Sequence, residues 1–92
     1  MLEEKVEFVS SLLKSISHPL RLKILCILQD GEQTVGDIQT TVQTTNANVS
    51  QHLTIMRNQG IITSRKEANF IYNSIGDDRV VALMDTLQNL YC

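Results

Sequence analysis

Residues 34–60 read TVGDIQTTVQTTNANVSQHLTIMRNQG, and this stretch decides the fold. Thr34 is a typical helix N-cap, and Asp37 three positions later completes a capping box, so the sequence predicts that a helix begins here. The inward-facing apolar residues of this helix are Val35, Ile38 and Val42. The polar residues that follow predict a short helix and a tight turn.

A second helix is predicted directly after this turn, with Thr44 or Thr45 as its N-cap and Gly60 at its end. Its inward-facing apolar residues form a narrow stripe of Val49, Leu53 and Met56. The residues that we expect to face away from this stripe are Asn46, Ala47, Ser50, Gln51 and Thr54. Two short helices joined by a tight polar turn are typical of a helix-turn-helix unit, whose second helix is the recognition helix.

A β-hairpin is predicted after Gly60. Its strands are Ile61–Ser64 and Phe70–Asn73, and residues 65–69 form a charged tip between them. Because a hairpin that follows a helix-turn-helix unit is the order of elements in a winged helix-turn-helix domain, we predict that fold class.

Three further helices are predicted over residues 2–16, over Pro19–Gln29, and from Asp77 or Asp78 to Cys92. The first helix carries two apolar stripes, which implies two partners, the domain core and a second subunit. The second helix is apolar nearly all round and is therefore expected in the interior. The predicted fold is a single, mainly helical domain over residues 1–92, with the element order α-α-α-α-β-β-α.

The composition is that of an ordinary globular domain. The chain has 92 residues, of which 42% are hydrophobic and 20% charged, and these values exclude a disordered acidic tail and a coiled coil. The acidic N-terminus lacks the features of a signal peptide and no apolar run could span a bilayer, so we expect a cytoplasmic protein. An enzyme is not expected, because the sequence has no nucleophile and base pair and no phosphate-binding glycine loop.

The net charge of -2 does not favour a nucleic-acid partner, but the distribution of charge along the chain does. From Ile38 to Lys66 the chain has no acidic residue, whereas three basic residues lie there. The side chains that we expect to hold phosphates are Arg57, Arg65, Lys66 and His52. The polar side chains of the recognition helix that we expect to face base edges are Asn46, Asn48, Ser50, Gln51 and Thr54. Taken alone, this helix is equally consistent with a solvated surface helix, and the order of elements favours DNA binding.

Four segments of the chain resemble the ArsR/SmtB family of bacterial repressors. They are SHPLRLKIL at 17–25, TVGDI at 34–38, VSQHL at 49–53 and MRNQGII at 56–62. The resemblance implies a homodimer formed through the first and last helices that binds a palindromic operator in duplex DNA. Thr44 stands where the family usually has an apolar residue, and Asn46 and Asn48 are not its commonest choices, so the operator sequence is not carried over.

The resemblance also raises the question of what the protein senses. Many members sense metals through a cysteine-rich motif on the third helix or a carboxylate and histidine cluster on the fifth. Neither motif is present, and the two histidines, His18 and His52, lie at a helix start and in the recognition helix. We therefore expect no metal site and no cofactor.

The two cysteines, Cys26 and Cys92, resemble the paired thiols of the family branch that senses reactive sulfur species. This resemblance implies a repressor whose operator binding is switched off when persulfides or polysulfides oxidise the dithiol. We expect Cys26 to be buried and therefore the slower nucleophile. In the alternative, the cysteines are structural, and the protein is an activator or anti-silencer that displaces another DNA-binding protein.

Overall fold

The computed structural model describes residues 2–91 and has the predicted order of elements. The helices are α1 (Glu3–Ile16), α2 (Pro19–Leu28), α3 (Val35–Val42), α4 (Asn46–Asn58) and α5 (Asp78–Tyr91). Strands β1 (Ile62–Glu67) and β2 (Phe70–Ile75) form an antiparallel hairpin between α4 and α5. The fold is therefore a winged helix, as the sequence predicts. None of the helices within residues 2–91 is long and apolar enough to cross a membrane.

Local hydrogen bonds set the limits of the helix-turn-helix unit. Thr34 accepts a hydrogen bond from the Asp37 amide and donates its own amide to the Asp37 carboxylate, both at 3.1 Å, which confirms the capping box. Gln43 adopts a left-handed conformation, with φ of 56°, and turns the chain sharply after α3. Thr45, and not Thr44, caps α4 by accepting from the Asn48 amide at 3.1 Å.

The hairpin strands are longer than predicted. Lys66 pairs with Ile71 and Glu67 with Phe70, so Arg65 and Lys66 lie within β1 and the turn consists of Ala68 and Asn69 alone. The charged residues were expected in the tip because charge disfavours a strand, but here they occupy exposed strand positions that remain in water.

The core lies where α2, α3, α4, the base of the hairpin and α5 meet. Its fully buried members are Ile24, Leu25, Ile38, Val49, Leu53, Met56, Ile61, Val80 and Met84. The prediction that α2 lies wholly inside is wrong, because Leu22 and Cys26 are exposed on its outer side. On that side an apolar groove of about 400 Å³ lies between α2 and α5.

Helix α1 is only partly buried. Ile16 belongs to the core and Leu12 packs against it, whereas Val6, Phe8 and Leu13 are about half exposed. Part of the apolar surface of α1, drawn from both predicted stripes, therefore lies open on the single chain.

His52 lies on the inward side of α4, where it links this helix to the start of α2. Its side chain is 9% exposed, its ring centroid lies 4.5 Å from that of His18, and Arg21 Nε donates a hydrogen bond to its Nδ1 at 3.1 Å. Helical spacing turns His52 towards α2 together with Leu53 and Met56, so its side chain joins helices in this structure, and its role in holding a phosphate stays a prediction.

Proton binding at His52 is unfavourable in the folded protein. Burial, followed by the charges of His18 and Arg21, lowers the pKa of His52 below its ordinary value. Arg21 also donates to the hydroxyl of Ser15, which in turn donates to Gln59. The neutral imidazole is therefore one acceptor in a network that joins α1, α2 and the end of α4.

We predict that the folded protein loses stability as the pH falls below about 6.5, the ordinary pKa of histidine. The unfolded chain takes up a proton at His52 that the folded chain resists, so the free energy of unfolding should fall by up to about 1.4 kcal/mol per pH unit. Urea unfolding at about pH 8 and about pH 5.5 measures this change directly. His52→Gln, which keeps an acceptor for Arg21, should remove most of the pH dependence. His18→Asn, which keeps a helix N-cap, removes only the smaller contribution of the His18 charge and should retain the part of the pH dependence that burial causes. An equal pH dependence in His52→Gln and the parent would contradict the assignment.

Candidate nucleic-acid interface

The outward side of α4 carries small polar side chains over most of its length. Asn46, Ser50, Gln51 and Thr54 are exposed, and the opposite stripe of Val49, Leu53 and Met56 is buried. This arrangement follows from the helical spacing of the apolar residues, as the sequence predicts. Amides and hydroxyls of this kind form hydrogen bonds with base edges in the major groove.

Asn48 differs from the other polar residues of α4. It is half-buried, and its Nδ2 donates to the hydroxyl of Thr44 at 3.1 Å across the turn between α3 and α4. Its side chain therefore stabilises the turn in this structure, and its role in base reading stays a prediction.

Arg65 lies in a cluster of opposite charges on one face of the hairpin. Its guanidinium donates to both carboxylate oxygens of Glu32, at 2.7 and 2.8 Å, and to Glu67 at 2.9 Å. It also lies over the Tyr72 ring, 4.9 Å from the centroid. The hydrogen bonds with Arg65 lower the pKa of Glu32, and those with Glu32 and Glu67 raise the pKa of Arg65. Arg65 thereby links the hairpin to the loop before α3, and these bonds use three of its five N–H donors.

Lys66 lies on the opposite face of the hairpin. Side chains alternate along a strand, so Lys66 shares its face with Ser64 and with the cross-strand partners Ile71 and Asn73. Lys66 is exposed, and it has no ion-pair partner within residues 2–91. Its charge is therefore available to an external anion.

Arg57, near the end of α4, is held by two residues of the hairpin. Its Nε donates to Ser64 Oγ at 2.9 Å, and its Nη2 donates to Asn73 Oδ1 at 3.2 Å. Sequence reasoning predicted Arg57 as a phosphate ligand but missed Asn73, which is fully buried. An asparagine inside a strand is unusual, and that was the available signal.

The second candidate site involves the cysteines. Cys26 is exposed on α2, which corrects the expectation of a buried thiol, and it lines the groove whose far wall includes Leu87 and Tyr91 of α5. The helix turns the apolar residues Ile24, Leu25 and Leu28 inward and Cys26 outward. Cys92 lies outside the described residues. Within residues 2–91 no group of three or more His, Cys, Asp or Glu side chains is placed to hold a metal ion.

Comparison with known proteins agrees with this description. Residues 18–64 match the family described as bacterial regulatory protein, arsR family. The transcriptional activator HlyU of Vibrio cholerae is 36% identical over 81 residues, which span 88% of this chain and 75% of HlyU. The biofilm growth-associated repressor of Agrobacterium fabrum is 32% identical over 91 residues, which span 99% of this chain and 78% of the repressor.

Solved structures show the same fold. Reduced HlyU from Vibrio cholerae has a TM-score of 0.93 at 33% identity, and the alignment covers 98% of this chain and 95% of that one. The homodimeric winged helix-turn-helix DNA-binding domain of Mb0332 from Mycobacterium bovis has a TM-score of 0.85 at 25% identity, covering 98% and 86%. The fold, the exposed polar face of α4 and these similarities together show that the chain belongs to the arsR family of bacterial regulatory proteins, and it is a transcriptional regulator and not an enzyme.

Proposed function

We propose that the protein is a cytoplasmic, homodimeric regulator that binds a palindromic operator in duplex DNA and is released by reactive sulfur species. The observation that carries the DNA-binding part is the exposed polar face of α4 beside a hairpin with an available lysine. In this proposal α4 enters the major groove, where Asn46, Ser50 and Gln51 meet base edges. Lys66 and Arg57 hold phosphates of the same half-site.

We predict that Lys66→Ala weakens binding to every duplex and reduces the slope of log affinity against log salt concentration by about one unit per half-site, because each subunit loses one phosphate contact. Gln51→Ala should instead reduce the preference for the operator over unrelated DNA. Fluorescence anisotropy at several salt concentrations, with an operator selected from random duplexes by the parent protein, measures both quantities. Lys14→Ala, which removes a lysine from α1, is the charge-matched control. If Lys66→Ala behaves like this control, the hairpin does not contact DNA.

The dimer is proposed to form through α1 and α5. Val6 and Leu13 are 46% and 48% exposed on α1, and Leu90 and Tyr91 are exposed near the end of α5. Apolar surface of this kind on a chain of 92 residues is removed from water when two copies pack together. A dimer also places two copies of α4 about 34 to 36 Å apart, as successive half-sites require.

We predict that Leu13→Glu converts the dimer into a folded monomer and abolishes tight operator binding, because a charge cannot be buried in the apolar interface. Sedimentation equilibrium should then give the single-chain mass of 10.4 kDa. Lys14→Glu introduces the same glutamate at the adjacent exposed position, where a charged side chain already stands, and should leave the dimer intact. Retention of the dimer by Leu13→Glu would exclude this part of α1 from the interface.

The sulfur-sensing part of the proposal rests on the groove between α2 and α5. Cys26 lines one wall, and Tyr91, which directly precedes Cys92 in the sequence, lines the other. One thiolate attacks the outer sulfur of a persulfide R–S–SH, forms Cys–S–SH and releases the thiol R–SH. The second thiolate then attacks the cysteine-bound sulfur, releases hydrogen sulfide and closes a disulfide. HlyU, a relative, has been solved in a reduced form.

We predict that an organic persulfide produces an intramolecular Cys26–Cys92 link and lowers operator affinity. Intact mass and peptide mapping identify the link, and anisotropy measures the affinity before and after a reductant restores the thiols. Cys26→Ser and Cys92→Ser are the matched variants, and each should keep its affinity after treatment. If either variant loses affinity as fully as the parent, the two cysteines do not form the switch.

Activation and repression are both candidate modes of regulation, because one relative is named an activator and another a repressor. A repressor blocks polymerase, whereas an activator of this size can act by displacing another DNA-binding protein. Footprinting the operator relative to the promoter separates them: overlap with the polymerase site supports repression, and overlap with the site of another DNA-binding protein supports displacement.

A further inference from the structure

Asn73 is a fully buried polar residue that joins three parts of the DNA-binding region. Its backbone exchanges two hydrogen bonds with Gln33, at 2.8 and 3.0 Å, so β2 is tied to the loop before α3. Its side-chain Nδ2 donates to the same Gln33 carbonyl at 3.1 Å. Asn73 therefore connects the hairpin to the chain segment before the helix-turn-helix unit, in addition to the Arg65–Glu32 pair.

The other end of the Asn73 amide reaches α4 and β1. Its Oδ1 accepts from Ser64 Oγ at 2.8 Å and from Arg57 Nη2 at 3.2 Å, while Ser64 Oγ accepts from Arg57 Nε at 2.9 Å. The buried polar side chains of the described residues all have hydrogen-bond partners, and Asn73 uses both its donor and its acceptor. Such a network defines one arrangement of its members, because any other leaves buried polar atoms without partners.

We propose that Asn73 is a positioning residue for DNA binding, which fixes the hairpin and the Arg57 guanidinium relative to α4. The inference rests on the proposed operator binding. Asn73 itself is buried and touches no ligand, so it acts through Lys66 and Arg57. Lys66 stands two residues beyond Ser64, about 7 Å further along the strand, so a small rotation at the base displaces the lysine from a phosphate.

In this role Asn73 determines how the hairpin is attached to the domain, whereas Lys66 supplies the charge that the hairpin presents. The apolar residues Ile61 and Ile62 hold the start of β1 in the core, but apolar contacts specify orientation weakly. The hydrogen bonds of Asn73 fix the direction in which the hairpin projects from the domain. Loss of the cluster should therefore leave a folded protein whose hairpin no longer presents Lys66 at a defined place.

A double-mutant cycle in operator affinity tests the proposal. Asn73→Ala and Lys66→Ala are made singly and together, and each protein is titrated with the parent-selected operator at two salt concentrations. We expect Lys66→Ala to weaken the Asn73→Ala background by a factor that is smaller, by about twofold or more, than its factor in the parent. The dependence of operator affinity on salt concentration should be similar for Asn73→Ala and Lys66→Ala. A variant that merely lowers the folded fraction changes every affinity by one factor and leaves the Lys66 effect intact.

Two further variants keep the test decisive. Ile24→Val removes a buried methyl group from α2 without touching the cluster, and in this control the Lys66 effect should stay at the parent value. Ser64→Ala removes the hydroxyl that bridges Arg57 and Asn73, and it should show the same coupling to Lys66 if Asn73→Ala does not fold. Full additivity of Lys66→Ala with Asn73→Ala, or with Ser64→Ala in its place, would overturn the positioning role while operator binding by the parent stands. Absence of operator binding by the parent would overturn the proposed function and this inference with it.

Discussion

The fold depends on the narrow apolar stripe of α4. Val49, Leu53 and Met56 are the positions through which this helix is buried, together with His52 on the same side. A stripe this narrow stabilises the helix against α2 and α3 while most of its circumference stays in water. The residues on the exposed side contribute little to packing and are therefore free to differ in chemistry. A regulator can in this way keep its core while its base-reading residues change.

The hairpin and α4 are attached to the domain by different physical means. Apolar burial holds α4, whereas the hairpin adds the polar cluster of Asn73 and the Arg65–Glu32 ion pair to the apolar contacts of Ile61 and Ile62. Exposed ion pairs contribute little stability and weaken with salt, but a buried hydrogen-bond cluster is not screened. The base of the hairpin is therefore held more firmly than its outer part.

The sequence predicts the fold well, because most helices carry a periodic apolar stripe or a recognisable cap, and α2 is marked by Pro19 at its start. It predicts the site less completely. The spacing of the apolar residues predicts that Gln51 is exposed. The same spacing predicts that His52 is buried, provided that its imidazole is counted among the core groups. The Arg57–Ser64–Asn73 cluster and the Arg65–Glu32 pair join residues that are 7 to 33 positions apart. No local pattern predicts such pairs, because they depend on how the hairpin folds back against the loop before α3.

The exposed position of Cys26 changes how the proposed switch can act. A buried thiol would require α2 to leave the core before it reacted, whereas an exposed one can be bridged to α5 with the core intact. Helix α2 would then move as a rigid body against α4, and its start contacts α4 through the Arg21–His52 hydrogen bond. Arg21 and Cys26 are about 7.5 Å apart along the α2 axis, so a displacement at Cys26 is transmitted to that contact with little loss. Because operator affinity depends on the angle between two copies of α4, a tilt of α2 against each copy is sufficient to lower it.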